Sequence, residues 1–432
     1  VFRLSGQASK TQVKGGRLKI LLYGINFSPE LTGIGKYTGE MAAWLAQAGH
    51  EVRVVTAPPY YPDWKVDEDY RGDRYAHEIW HDVRVWRAPL WVPARPSGIK
   101  RLLHLASFAL SSFPLMMRQL LWKPDVVWVV EPPLFCAPTA LCVARLTGAR
   151  AWLHVQDYEV DAAFALGLLQ GGWARRLVTG LERWLMRRFD KVSTISESMI
   201  ARAAAKGVEP DRLAYFPNWI DLTRIYPITK PSRYRAALGI SADTVVALYS
   251  GNMGGKQGLE IMAEAAGLLS DAPNLLFVFC GNGAGKADLE HLAKGLTNVR
   301  FLNLQPLDRL NDLLGLADIH LLPQRADAAD LVMPSKLTGM LASGRAVVAT
   351  ANDDTELGKV VRGCGLVTAP GDAAAFAQAI SALANDATRR KTLGQAGRRY
   401  AEMNFNINHI LEDFEYMLKK RSVNKNFFRR YL

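Results

Sequence analysis

Apolar residues fall along the chain in two alternating patterns. Short, largely apolar runs recur at 18–25, 51–56, 125–130, 150–155, 191–195, 245–250, 275–280, 299–304, 319–322 and 346–350. Runs of this length, rich in Val, Ile and Leu, predict strands buried on both sides, as in a parallel sheet. The stretches between them space their apolar residues three and four apart and close on Gly or polar residues, which predicts helices. The first such helix leaves the loop at 26–37 and ends near Ala48, where Gly49 and His50 close it before the next strand. Strand alternating with helix is the pattern of an α/β protein with doubly wound, Rossmann-like sheets.

The alternation pauses once, at the Pro-containing stretch 226–231, and then restarts. A linker there divides the chain into a domain over 17–225 and a second over 232–405. Helices are predicted at about 372–384, 386–403 and 406–420, the last crossing back to the first domain, with 406–432 forming that helix and a basic tail. Residues 1–16 lack an apolar run and are expected to be a flexible extension outside the fold.

Candidate chemistry sits where predicted strands end. After the first strand come Gly33, Gly35 and Lys36, which match neither a dinucleotide fingerprint nor a P-loop, since Tyr37 follows the lysine. In the second domain a strand leads to Gly251, Asn252 and Lys256, and the next to Gly281 and Gly283. Glycines there permit close backbone approach, and a lysine supplies a point charge for phosphate. Pro334, Ser335, Lys336 and Thr338 open a further helix that Gly344 ends. Free backbone N–H groups, a hydroxyl and a cation together suit a phosphate; an ordinary helix–strand unit would carry the same spacing. His154, Gln156 and Asp157 end the strand at 150–155, placed for proton handling or sugar hydroxyl binding. A core histidine and a helix-capping aspartate would look the same.

Charge narrows the partners. The 432 residues include 53 Lys and Arg against 41 acids, a net charge of +12, so an anionic partner is expected. A hydrophobic share of 49% supports sizeable cores, and the length suggests two domains. Four cysteines without a C-x-x-C pair read as reduced thiols, neither disulfides nor a zinc site. Between Asp82 and Asp125 basic residues, Arg101, Arg118 and Lys123 among them, interleave with Trp, Phe and Met. The segment 99–122 predicts a helix pair broken at Pro114, lying in a membrane interface with anionic lipids or simply covering the first sheet. A second basic amphipathic helix is predicted at 173–190, and the tail at 419–431 repeats the chemistry. Single-stranded nucleic acid would use the same residues, but no nucleic-acid-binding motif accompanies them, so no nucleic-acid partner is expected. No apolar run approaches the roughly 20 residues of a membrane span. The expected location is cytoplasmic and peripheral.

The run Pro334-Ser335-Lys336-Leu337 leading into Gly344-Arg345-Ala346-Val347-Val348-Ala349 resembles the donor-binding stretch of GT-B glycosyltransferases of family 4. Phe216-Pro217-Asn218-Trp219-Ile220-Asp221 and the glycine loop at Gly33 resemble other segments of that family. The resemblance implies two Rossmann-like domains facing a cleft and a retaining, metal-independent transfer from a nucleotide-sugar. It implies donor contacts at Gly33, Gly35, Lys36, Gly251, Asn252, Lys256, Gly281, Gly283, Pro334, Ser335, Lys336 and Thr338. It places Asp157, Gln156 or His154 beside the sugar being transferred. Leu331 and Gly339 stand where many members carry a pair of glutamates, and Trp219 stands where glycine is usual. The segments 23–30 and 56–62 are similar to bacterial glycosyltransferases of exopolysaccharide assembly of the colanic acid type. That similarity implies a deoxyhexose donor, GDP-fucose, and a polyprenyl-pyrophosphate-linked glycan acceptor at the inner face of the plasma membrane. A sugar-nucleotide 2-epimerase and a non-catalytic nucleotide-sugar-binding assembly subunit share the architecture and remain as alternatives.

Overall fold

The computed structural model describes residues 16–31, 33–94, 98–161, 172–254, 257–325 and 334–420. Lys256, Leu331, the first fifteen residues and the tail beyond Lys420 lie outside the described residues.

The first domain is built on an eight-stranded sheet of order β3-β4-β2-β1-β5-β6-β7-β8. In chain order its elements are β1 (Lys19–Tyr23), α1 (Gly33–Gln47), β2 (Glu51–Thr56), β3 (Ala76–Trp80), β4 (Val83–Arg87) and α2 (Gly98–Arg118). There follow β5 (Val126–Glu131), α3 (Ala137–Thr147), β6 (Arg150–Val155), α4 (Gly172–Met186), β7 (Lys191–Thr194), α5 (Glu197–Ala205) and β8 (Leu213–Tyr215). The central strands are apolar on both faces because helices cover both. Leu21, Tyr23, Val127, Val129 and Leu153 pack under α2, α3, α4 and α5. Ile20, Leu22, Trp128 and Trp152 pack under α1 and the last helix of the chain. Every pairing is parallel except β3 with β4.

The second domain carries a six-stranded parallel sheet of order β11-β10-β9-β12-β13-β14. Its elements are α6 (Arg233–Ala237), β9 (Val245–Ser250), α7 (Glu260–Leu268), β10 (Leu275–Cys280), α8 (Lys286–Leu292), β11 (Val299–Leu302) and α9 (Leu310–Leu316). Then come β12 (Ile319–Leu322), α10 (Lys336–Ala342), β13 (Ala346–Thr350), α11 (Glu356–Arg362), β14 (Gly365–Thr368), α12 (Ala373–Ala384) and α13 (Ala387–Asn404). The final helix α14 (Ile407–Lys419) returns to the first domain. It is hinged at Ile220, whose N–H reaches the Phe405 carbonyl while its own carbonyl accepts from Ile407. Phe414 then stacks on Phe216 and meets Trp152 edge-on, with Leu411 and Leu418 buried beside them.

One expectation needs correction. The segment 99–122 is not a helix pair: α2 runs unbroken through Pro114. A proline inside a helix removes only its own N–H bond and crowds one carbonyl, and Leu105, Phe108 and Met116 bury the helix on both sides of that point. The basic residues of that segment are spread along the helix and the turn after it. Arg101 occupies the first turn of α2 and Arg118 its last, about 25 Å away at 1.5 Å per residue. Among the described residues no helix is long and apolar enough to cross a membrane.

Candidate functional site

The two sheets point their strand ends toward each other, and the second domain's contribution is organised by glycine turns. Gly251 follows β9 with φ +135°, while Gly281 and Gly283 follow β10 with φ +152° and +148°. These conformations favour glycine, and the turns interlock so closely that a Cβ on Gly281 would collide with the Gly251 carbonyl. Lys336, at the start of α10, reaches into this junction. Its Nζ donates to the Tyr249 hydroxyl at 2.7 Å and lies 4.2 Å from the centre of that ring. The Tyr249 hydroxyl in turn donates to the Asn252 carbonyl at 2.6 Å. No carboxylate pairs with Lys336 among the described residues. Burial pushes its pKa down to about 7. A cation held in place without a counter-ion beside closely packed backbone turns is prepared for an anion.

Around Lys336 the predicted donor residues divide. Pro334 and Ser335 face an interdomain recess, shared with Ile195, Tyr215, Asn218 and Glu356. Ser335 precedes α10 without a side-chain capping bond and is exposed. Thr338 donates to the Ser335 carbonyl at 2.9 Å and also engages the hydroxyl of Tyr37, on α1 of the other domain. Asn252 lends its carbonyl to Tyr249, so its contribution here is backbone.

On the first domain, Gly33 (φ +63°) opens α1, and Gly35 packs where any Cβ would strike the Glu30 carboxylate. Lys36 is not a free cation: its Nζ is 3.7 Å from Glu40 and sits over the Tyr37 ring. Glu40 also accepts from the Trp219 indole N–H at 2.9 Å, which explains the bulky residue in place of glycine. Trp219 is buried between Tyr37 and Phe216. Glu30 shows no sequence signal, yet it is buried and accepts from the N–H groups of Tyr60 and Tyr61. Burial raises its pKa to about 7 despite those bonds.

His154 is closed off from the cleft. It is 1% exposed and stacked on Trp128, with Nδ1 at 2.9 Å from the Ser193 hydroxyl and Nε2 accepting from Gln156 at 3.0 Å. Burial lowers its pKa to about 3, so it stays neutral at ordinary pH. With no open nitrogen it cannot take a proton from substrate; it orients Gln156 instead. Gln156 and Asn218 form a reciprocal amide pair at 3.1 and 3.3 Å, and Asn218 lines the recess. Asp157 follows at the strand end, partly buried. No sequence motif marks Glu356. Its carboxylate crosses between domains to accept from the Ser198 N–H at 3.2 Å and its hydroxyl at 3.4 Å.

The basic residues fall outside this site, with one exception. Arg118 and Lys123 lie exposed at the far end of the sheet, near Arg53 and Trp122. Arg101 lies at the cleft end, where its charge acts on Tyr61 and Glu159. The outer side of α2 bares Ile99, Leu103, Leu110 and Phe113, which are 74, 55, 77 and 48% exposed. On α4, over the same sheet face, Trp173, Leu177, Leu181 and Trp184 are 77, 65, 53 and 48% exposed. Each set recurs at helical spacing and forms one stripe.

Comparison with known proteins matches residues 32–219 to the glycosyl transferase 4-like domain and residues 244–386 to the glycosyl transferases group 1 domain. The chain is 47% identical over 408 residues to WcaI of Escherichia coli (strain K12), a protein assigned to colanic acid biosynthesis as a glycosyl transferase. That match covers 92% of this chain and 98% of WcaI. Among solved structures, sucrose-phosphate synthase from Thermosynechococcus elongatus aligns with a TM-score of 0.73 at 18% identity, over 93% of this chain and 98% of that one. Anabaena HepE in complex with UDP aligns with a TM-score of 0.69 at 15% identity, over 93% and 99%. Two Rossmann-like domains, their order and these matches together make the chain a member of the family 4-like, group 1 glycosyltransferases of GT-B fold.

Proposed function

We propose that this enzyme moves fucose from GDP-fucose, with retention and without a metal ion, to a polyprenyl-pyrophosphate-linked oligosaccharide of exopolysaccharide of the colanic acid type. It works as a peripheral protein on the inner, cytoplasmic face of the bacterial plasma membrane. The observation that carries the donor site is the Lys336 ammonium, held by Tyr249 against the interlocked glycine turns with no carboxylate to neutralise it. As the bond from the anomeric carbon to the phosphate oxygen breaks, charge grows on the departing diphosphate. A preorganised cation there stabilises that charge more than it stabilises the intact donor. The acceptor hydroxyl adds from the face the diphosphate leaves, and its proton goes to the departing phosphate oxygen. Gln156 and Asn218 present amide groups to the sugar, their orientation fixed by neutral His154. The choice of pathway is supported by the identity to WcaI, and the nucleotide-sugar by HepE, a neighbour of the same fold solved with UDP-glucose. The exposed stripes of α2 and α4, flanked by Arg175, Arg176 and Arg183 on α4 and by Arg187 and Arg188 in the turn that follows it, support contact with an anionic bilayer.

The test is a thermal-shift and hydrolysis panel of UDP-, GDP- and dTDP-sugars in the presence of EDTA. Selective stabilisation by GDP-fucose with slow release of GDP is expected. Equal response to every nucleotide, or none, overturns the donor assignment.

A further inference from the structure

Arg101 makes no hydrogen bond or ion pair among the described residues, although it lies within electrostatic reach of Tyr60, Tyr61 and Glu159. Its place follows from the packing of α2. Leu105, Phe108, Ser112 and Met116 press this side of the helix onto the sheet. Arg101 shares that side but lies a turn earlier, beyond the strands, so it overhangs their carboxyl ends. His104 anchors the turn: its Nδ1 is 2.7 Å from the Trp91 carbonyl, and its ring packs against Tyr60 and Trp64. Tyr61 in turn faces Gly33 at the mouth of the glycine loop. An exposed arginine therefore stands on a rigid turn at the rim of the cleft, on the side opposite Lys336's domain. The bare stripe of Ile99, Leu103, Leu110 and Phe113 starts on the other side of the same turn and runs away from the cleft.

We propose that Arg101 receives the pyrophosphate of the lipid-linked acceptor at the cleft rim, and that the isoprenoid chain crosses the first turn of α2 onto its exposed apolar stripe. The proposal rests on the transferase reading and deepens it by naming what grips the acceptor. A guanidinium binds a phosphate through two parallel N–H bonds, which fixes orientation as well as charge. An apolar chain needs only to cross a helix about 10 Å wide to reach the stripe. Glu159 and Asp157 are the acidic groups on the facing strand end. Burial raises the Glu159 pKa, which limits its repulsion of the phosphate.

The experiment uses the full chain and farnesyl pyrophosphate as probe, titrated calorimetrically without detergent. Saturable binding is expected, weakened at least tenfold by Arg101→Ala and less by Arg101→Lys. Leu103→Ser with Leu110→Ser should weaken farnesyl pyrophosphate and leave inorganic pyrophosphate unchanged. Arg101, Leu103 and Leu110 are all solvent-facing, and unchanged melting temperatures certify that the variants fold. Saturating GDP should not displace the probe. Displacement by GDP, or loss of probe binding in Lys336→Ala but not Arg101→Ala, puts the pyrophosphate in the donor cleft and overturns the proposal. Probe binding that persists while no nucleotide-sugar binds would count against the donor reading alone.

Discussion

The depressed pKa of Lys336 makes donor affinity a function of pH, with a sign that follows from the site. In the free enzyme the ammonium titrates near 7 because burial disfavours its charge. A bound diphosphate restores the charged form and raises that value again. Below pH 7 the cation is already present and affinity sits on its plateau; above 7 each binding event must take up a proton. Half of Lys336 is charged at pH 7.0 but only about 3% at pH 8.5, so affinity for GDP-fucose should fall about 15-fold between them. Calorimetry in two buffers of different ionisation enthalpy should count close to one proton taken up at pH 8.5. Lys336→Met should remove the pH dependence and cost about 1.5–3 kcal/mol of binding at pH 7. Stability follows the opposite logic. The folded pKa lies below the unfolded one, so the native state holds fewer protons between about 7 and 10.4 and stability rises with pH across that window. The variant should therefore melt higher than wild type at pH 7. Flat affinity from pH 7.0 to 8.5, or no proton uptake, would refute the assignment of Lys336 to the diphosphate.

Three further outcomes are expected. Trp219→Ala removes a buried indole and its bond to Glu40, and should cost about 3–5 kcal/mol in urea unfolding; a loss under 1 kcal/mol would deny the indole its structural role. Gly281→Ala should destabilise the second domain and abolish GDP binding, because both φ and the Gly251 carbonyl oppose a Cβ; a variant that binds GDP normally would show the turns to be adaptable. Leu110→Glu with Phe113→Glu, and separately Trp173→Glu with Leu177→Glu, should release the protein from anionic vesicles in co-sedimentation. Stability in these pairs should change within about 0.5 kcal/mol per substitution, as for solvent-facing positions; undiminished pelleting would remove the stripes from the membrane contact.

Buried parallel strands were the most legible feature, because a strand covered on both faces is apolar at most of its positions. The runs at 51–56, 150–155, 245–250, 275–280, 319–322 and 346–350 coincide with strands to the residue. The β3–β4 hairpin was not legible: Ala76–Trp80 lies at an edge, largely exposed, and mixes His, Glu and Trp. Three-residue β8 is too short to carry a period. Pro114 suggested a break in α2 that burial on either side of it overrides. In the site, the glycine turns and Lys336 could be marked from residue type and position. Tyr249, which holds Lys336 from 87 residues away, could not, nor could Glu356 reaching Ser198 across the domains. Residue type could not decide between a core and a cleft His154, because Trp128 and Phe216, which enclose it, come from a different strand and a loop. Arg101 was grouped with Arg118 and Lys123 by charge, and only helix length separates them.

The proposed reaction is transfer from a nucleotide-sugar bound at Lys336 to a lipid-linked acceptor. Its most direct test incubates purified enzyme and EDTA with radiolabelled GDP-fucose and polyprenyl-pyrophosphate-linked glycan, then counts label in the lipid extract. Label should accumulate without metal, be lost in Lys336→Met, and be released as the retained anomer. Donor that binds yet leaves the lipid unlabelled, or label that appears only after a divalent cation is restored, would contradict it.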